Sequence, residues 1–209
     1  CTSVLSPPAG GVDGAQLVVD TANRLSPGST LCLQAGIYAA PVQPSSQRYE
    51  ITANGTPAAM ITVTAFPGDH VKLIGWFAIS GAYVRLSHMQ IDGDNSAYPA
   101  GANPQCPDLP ARSESLQIDG RGDIFEDNDY YQSMPARRAN GIAVGWYGHP
   151  DGAILRQNRI HDIGQCAAQD HGIYLEAGTG VQIYRNWIWN VPHGWGIQLW
   201  PWPQSSAIS

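Results

Sequence analysis

The sequence predicts an all-β chain coiled as a parallel β-helix, a solenoid of three strands per turn, closed at its N-terminal end by a short helix. Two observations carry that reading. A three-strand pattern recurs: residues 140–145 with Gly141-Ile142, 153–158 ending in Asn158, and 159–161 around Ile160. It returns as 171–176 with Gly172-Ile173, 181–186 ending in Asn186, and 187–189 around Ile188, then starts again at Gly196-Ile197. Self-similarity at a period of about 20–50 residues marks a solenoid or array. The other observation is composition: 13% charged residues beside 23 glycines and 16 prolines leave few solvated helix faces and many tight corners.

Residues 1–29 read as an N-terminal cap and 30–209 as the β-helix. Within the cap, 15–25 carries Leu17, Val18, Ala22 and Leu25 on one helical face, and Ser26-Pro27-Gly28 stops it. Such a helix hides the strand edge that an open stack exposes. Early strands follow at 31–33, 61–64 and 71–74. From Phe77 onward each rung resolves into a first, second and third strand. The first strands lie at 77–81, 116–120, 141–145, 172–176 and 196–200. Alternation turns Ile79, Leu116, Ile118, Ile142, Val144, Ile173, Leu175, Ile197 and Leu199 inward. It turns Ser80, Gln117, Asp119, Ala143, Gly145, Tyr174, Glu176, Gln198 and Trp200 outward. The second strands end at Met89, Asn128, Asn158 and Asn186. The three Asn read as a structural ladder, since Asn tolerates the left-handed turn and bonds to its neighbours in the stack.

Insertions fall at the corner between each third strand and the next first strand: 95–113, 132–139, 164–170 and 192–193. At the far end, 205–209 begins what resembles another second strand and stops. The expectation there is either a piece of a longer chain or an end rung covered by self-association.

The four cysteines, Cys1, Cys32, Cys106 and Cys166, form no C-x-x-C pair, so they do not read as a zinc site. An even count at wide spacing in a charge-poor chain reads as two disulfides and a secreted or cell-surface protein. Cys106 and Cys166 lie in insertions on one edge two rungs apart, which brings them within bridging reach. A net charge of −6 excludes the basic footprint that nucleic acid requires. No stretch approaches the about 18 apolar residues of a membrane span.

The chain resembles the secreted right-handed parallel β-helix proteins of the pectate-lyase-like superfamily. The residues that carry this are 29–38 around Leu31-Cys32-Leu33, 61–68 ending in Phe66-Pro67-Gly68, 158–162, and 170–175 with Asp170-His171-Gly172. The resemblance covers most of the chain and implies the right-handed coil. It also implies a bridge between Cys1 and Cys32, because the first Cys of such proteins commonly pairs with the one in the opening strand. The superfamily holds polysaccharide lyases, glycoside hydrolases, uronate epimerases and surface proteins without chemistry, so it implies an extracellular polysaccharide as partner and leaves the activity open.

The leading site is the outward face of the first strands. Asp119 and Glu176 stand two rungs apart there, about 9.6 Å at the usual strand spacing, near the upper end of the separation used by inverting glycosidases. Ala143 and Gly145 between them leave room for a sugar ring, with Trp146, Tyr174 and Trp200 as stacking surfaces and a loop at 146–149 as one wall. The alternative is a pair of solvated carboxylates on an exposed sheet. A lyase or epimerase needs instead a base and a group that neutralises the uronate carboxylate. Asp170 and His171 supply the first, with His193 at the same corner one rung later. Arg137 and Arg138 supply the second, since the single lysine, Lys72, lies in an early rung. Residues 126–129 offer oxygens for calcium, although alternation sends them to different sides. Trp187 and Trp189 flank Ile188 and point outward, a pattern suited to sugar stacking or protein contact. A non-catalytic adhesion or structural module that binds glycan or self-assembles is the competing reading.

Overall fold

A computed structural model describes residues 1–41, 47–93, 116–133, 140–164 and 170–200. The chain is a right-handed parallel β-helix preceded by one helix. Every strand pair between neighbouring rungs is parallel, and the strands sort into three sheets. The first sheet stacks Arg48–Ile51, Trp76–Ile79, Leu116–Ile118, Ile142–Val144, Ile173–Leu175 and Ile197–Leu199. The second stacks Ser3–Leu5, Thr30–Leu33, Ile61–Ala65, Val84–Ser87, Ile124–Glu126, Ile154–Arg156 and Gln182–Tyr184. The third stacks Gly36–Tyr38, Val71–Ile74, Gln90–Asp92, Asp129–Tyr131, Arg159–His161 and Trp187–Trp189.

The expected inward set is buried from Ile79 through Leu175, and Ile197 and Leu199 on the last described rung are exposed. Leucine, isoleucine and valine fill the interior beside Tyr38, Tyr49, Phe77, Phe125 and Tyr130. Parallel register places like residues on consecutive rungs: Ile118 opposite Val144, Val144 opposite Leu175 and Leu175 opposite Leu199.

The helix spans Gly14–Ala22, beginning one residue before the predicted stretch and ending three before Leu25. Asp13 starts it by accepting the Gln16 N–H at 2.9 Å, the usual N-cap arrangement. Asn23 ends it, because its side chain is committed to the first sheet: Oδ1 accepts from Thr52 and Ala53, and Nδ2 donates to the Glu50 carbonyl. Gly14 sits where a Cβ would come within 3.0 Å of the Tyr38 Cα, so the helix lies close on the first rung. The cap also holds a strand that alternation did not reveal, Ser3–Leu5, paired with Thr30–Leu33.

The Asn ladder is present, with a different division of labour. Asn128, Asn158 and Asn186 each accept, through Oδ1, the backbone N–H of the equivalent residue one rung earlier: Met89, Asn128 and Asn158. Each donates from Nδ2 to a carbonyl of that earlier rung: Leu86, Phe125 and Leu155. The left-handed backbone belongs instead to the preceding residues, His88, Asp127, Gln157 and Arg185, all at φ between 53° and 60°. The corner thus separates the strained residue from the bonding residue.

Candidate functional site

The first-sheet face is built as the alternation predicts. Gln117, Ala143, Tyr174 and Gln198 stand in register on the outer side. The next position is Asp119, Gly145, Glu176 and Trp200, whose N–H groups continue the ladder onto Ile79, Ile118, Val144 and Leu175. The two carboxylates therefore share one column two rungs apart.

Their surroundings correct the expectation of an open groove. Asp119 is only 7% exposed and Glu176 only 2%, and Gln117 and Ala143 are buried with them. The 146–148 loop does not stand beside Asp119 as a wall; it lies on it. Tyr147 donates its N–H to Asp119 Oδ1 at 3.0 Å, and a Cβ on Gly148 would lie 2.3 Å from the Asp119 carbonyl oxygen. Across the other oxygen, Oδ2, Arg48 stands at 3.6 Å. Burial raises the Asp119 pKa above its ordinary value, opposed chiefly by the Tyr147 N–H and the Arg48 charge. Asp119 is thus an anchor for the loop as well as a carboxylate of the face.

Arg48 is the residue that sequence reasoning missed. Its Nε donates to Gln117 Oε1 at 3.0 Å, one terminal nitrogen meets Glu50 at 2.9 Å, and its guanidinium lies 5.8 Å from the Trp76 ring and 5.5 Å from the Tyr147 ring. It sits in Arg48–Ile51, whose alternation of half-buried and buried residues is a strand signal of period two.

Around Glu176 the polar and aromatic groups converge. Burial, followed by the Glu176 charge, raises the Tyr174 pKa. The Tyr174 ring lies 5.5 Å from His171, stacked at 22°, and 6.1 Å from Trp146. His171 Nδ1 accepts the Trp195 N–H at 3.0 Å, and burial lowers its pKa. A neutral imidazole with Nδ1 so engaged carries its proton on Nε2. The ring is therefore a hydrogen-bond donor here and has no lone pair open for proton abstraction. The Trp195 backbone holds the nitrogen that an orienting carboxylate would take; Asp170 itself is fully buried at the corner. His193 and Trp195 are exposed beside an open depression that they line with Pro192 and Gly194. Trp200 is exposed at the end of the column. Arg137, Arg138, Cys106 and Cys166 lie outside the described residues.

The proposed calcium oxygens diverge. Glu126 bonds to Arg156 and faces Arg85, Asn128 belongs to the ladder, and Asp129 bonds to Arg159 and His161. These residues do not fit one shared cation. Among the described residues no group of three metal-ligating side chains comes together. Lys72 pairs with Asp92 at 2.9 Å on the third sheet, away from the first-sheet face. Cys1 and Cys32 are bridged, with Cα atoms 5.7 Å apart. Among the described residues no helix is long and apolar enough to cross a membrane.

A second buried carboxyl lies under the same corner. Asp123 Oδ1 accepts the Val84 N–H at 2.9 Å. Burial, opposed by the Val84 and Gly120 N–H groups and reinforced by the Asp119 charge, raises its pKa from 3.8 to about 8. Between those two values the folded chain keeps a proton that the unfolded chain has lost. Stability contributed by this group is therefore full below the unfolded pKa and falls as pH rises toward 8, by up to ~1.4 kcal/mol per pH unit. Above that it is flat. Asp123→Asn keeps the acceptor for Val84 and cannot ionise. The difference in stability between wild type and variant, from urea titrations at pH 5, 6, 7 and 8, is expected to shift steadily in favour of the variant. A pH-independent difference would show that Asp123 ionises as freely folded as unfolded.

Comparison of this chain with protein-family models, with curated proteins and with solved structures finds no match.

Proposed function

We propose that the protein is a secreted, carbohydrate-active β-helix that acts on an extracellular polysaccharide at the first-sheet face, by hydrolysis rather than elimination. The observation that carries this is the arrangement around Glu176: a buried carboxylate two positions along the same strand face from Tyr174, whose ring lies against those of His171 and Trp146. A buried carboxylate with aromatic surfaces beside it is what glycosidic chemistry uses to handle a sugar ring. In this role Glu176 activates water or meets the sugar, Tyr174 orients it, and His171 donates a hydrogen bond to a hydroxyl or leaving oxygen. The burial-raised pKa of Asp119 suits the acid partner. The pectate-lyase-like resemblance and the Cys1–Cys32 bridge support the family and the oxidising compartment.

Elimination fits less well. Tyr174 has its pKa raised, so its phenolate is a scarce base. His171 has its acceptor nitrogen engaged, and the lysine is on another sheet.

A non-catalytic glycan-binding module is the second reading. It is favoured by Asp119, whose two oxygens are turned to Tyr147 and Arg48 and whose exposure is small. The test is product analysis on a panel of soluble polysaccharides. Hydrolysis yields reducing ends without an unsaturated, ultraviolet-absorbing product, and Glu176→Gln is expected to lower the rate at least 100-fold with the fold intact. Unsaturated product would sink the hydrolase reading. Binding without turnover, unchanged by Glu176→Gln, would establish the module.

A further inference from the structure

We infer that Arg48 is a positioning residue for Asp119, holding both the carboxyl and the 146–148 loop that covers it. Each nitrogen of its guanidinium is aimed at a different group of the first-sheet face. Nε donates to Gln117 Oε1 at 3.0 Å, one terminal nitrogen meets Glu50 at 2.9 Å, and the other faces Asp119 Oδ2 at 3.6 Å. Two rings lie against the same group, Trp76 at 5.8 Å and Tyr147 at 5.5 Å. The register makes this reach possible. Ala78 stands opposite both Glu50 and Gln117 on the rung between them, and its small side chain leaves a long neighbour room to cross. A planar fork with several donors can meet all of these partners at once, whereas an ammonium is a single point of charge. Arg48 therefore ties three rungs and the loop together around one carboxyl.

The arrangement at Asp119 gives that tie a chemical consequence. Oδ1 accepts the Tyr147 N–H at 3.0 Å, while Oδ2 is buried without a hydrogen-bond partner. Oδ2 is thus the oxygen left to hold a proton, and the guanidinium stands beside it. The other charged or titratable groups around it are Glu50 behind Arg48, Asp123 from the neighbouring corner, Glu176 two rungs along the column and the exposed His149 at the end of the loop. Burial favours the neutral form of Asp119; the Tyr147 N–H and the Arg48 charge oppose it, joined by the N–H groups of Trp146 and Gly148. Arg48 acts on the proton twice, directly by charge and indirectly by seating Tyr147.

The consequence for rate rests on the reading of Asp119 as the acid; the effect on the carboxyl and the loop does not. The test compares Arg48→Gln and Arg48→Lys with wild type in the whole chain. In Arg48→Gln the carboxyl carbon NMR signal of Asp119 is expected to titrate at higher pH, and in Arg48→Lys, which keeps the charge, to move less. In both, the Tyr147 amide proton should exchange about 10-fold faster. On a polysaccharide that is turned over, Arg48→Gln should lower kcat about 10-fold with KM unchanged and move the alkaline limb of the kcat profile to higher pH. A merely structural role would lower kcat without moving that limb. Asp119 titrating in Arg48→Gln as it does in wild type would overturn the proposal. So would unchanged Tyr147 exchange in folded Arg48→Lys, the variant that decides if Arg48→Gln does not fold. An upward Asp119 titration with no turnover of any polysaccharide would overturn the hydrolase reading alone and keep Arg48 in its place.

Discussion

Asn158→Ala is expected to lose about 3–5 kcal/mol of folding stability, among the largest costs of any single side-chain truncation in this chain. Asn158 is buried in the middle of the corner ladder. Its Oδ1 accepts the Asn128 N–H at 3.0 Å, and its Nδ2 donates to the Phe125 carbonyl and to Asn186 Oδ1, both at 2.9 Å. Truncation removes these bonds and leaves the buried Asn128 N–H without its acceptor. A stranded buried donor alone costs about 1–3 kcal/mol, and the lost carbonyl contact and the small void add to it. In a solenoid that loss sits at an interface between two rungs, which is the unit that holds the array together. Asn158→Asp separates the two roles. It keeps the acceptor for Asn128 but turns an acceptor oxygen toward the Phe125 carbonyl, so its cost is expected to be as large. Asn186→Ala, on the half-buried rung beyond, should cost less. Urea denaturation gives all three. A loss below about 1 kcal/mol for Asn158→Ala would mean that water replaces the side chain, and that the ladder is not a source of stability.

Opening the Cys1–Cys32 bridge is the second large effect. The bridge closes a loop with a sequence separation of 31, for which the chain-entropy relation gives roughly 3–4 kcal/mol. The structural consequence is local. Cys32 is in Thr30–Leu33, and the strand it fastens, Ser3–Leu5, is the edge of the second sheet, paired on one side only. The double variant Cys1→Ser/Cys32→Ser is expected to show rapid amide exchange over residues 2–5 while the Ile61–Ala65 and Val84–Ser87 strands stay protected. Its denaturation midpoint should fall below that of the oxidised wild type. An unchanged midpoint would show that edge pairing suffices without the bridge. Slow exchange over 2–5 in the double variant would show the same thing residue by residue.

Much of the fold was legible because its signals are local. The period-two alternation and the Gly-Ile and Asn landmarks place the first strands from Phe77 onward, and with them the shared column of Asp119 and Glu176. The Asn corner was also legible as structure rather than site, since three identical residues at one turn position have a bonding role to play. Gly36–Tyr38 and Arg48–Ile51 were not assigned as strands. The first is three residues long and the second four, too short for a period of two to stand out.

The sequence by itself determined the number of strands per rung, the direction each residue faces and the landmark residues of each corner, because each depends on neighbours a few positions apart. Tertiary structure alone decided which outward residues are open to solvent. Arg48 reaches Gln117 across 69 positions of sequence, and the Tyr147 N–H folds back onto Asp119. Facing outward therefore did not mean being exposed. The same holds for chemistry. A sequence can place His171 beside Asp170, but only the rung above, through the Trp195 N–H, sets which nitrogen of the ring carries the proton. Hydrogen bonds between rungs join residues that are distant along the chain and adjacent along the solenoid axis, and no local pattern encodes them.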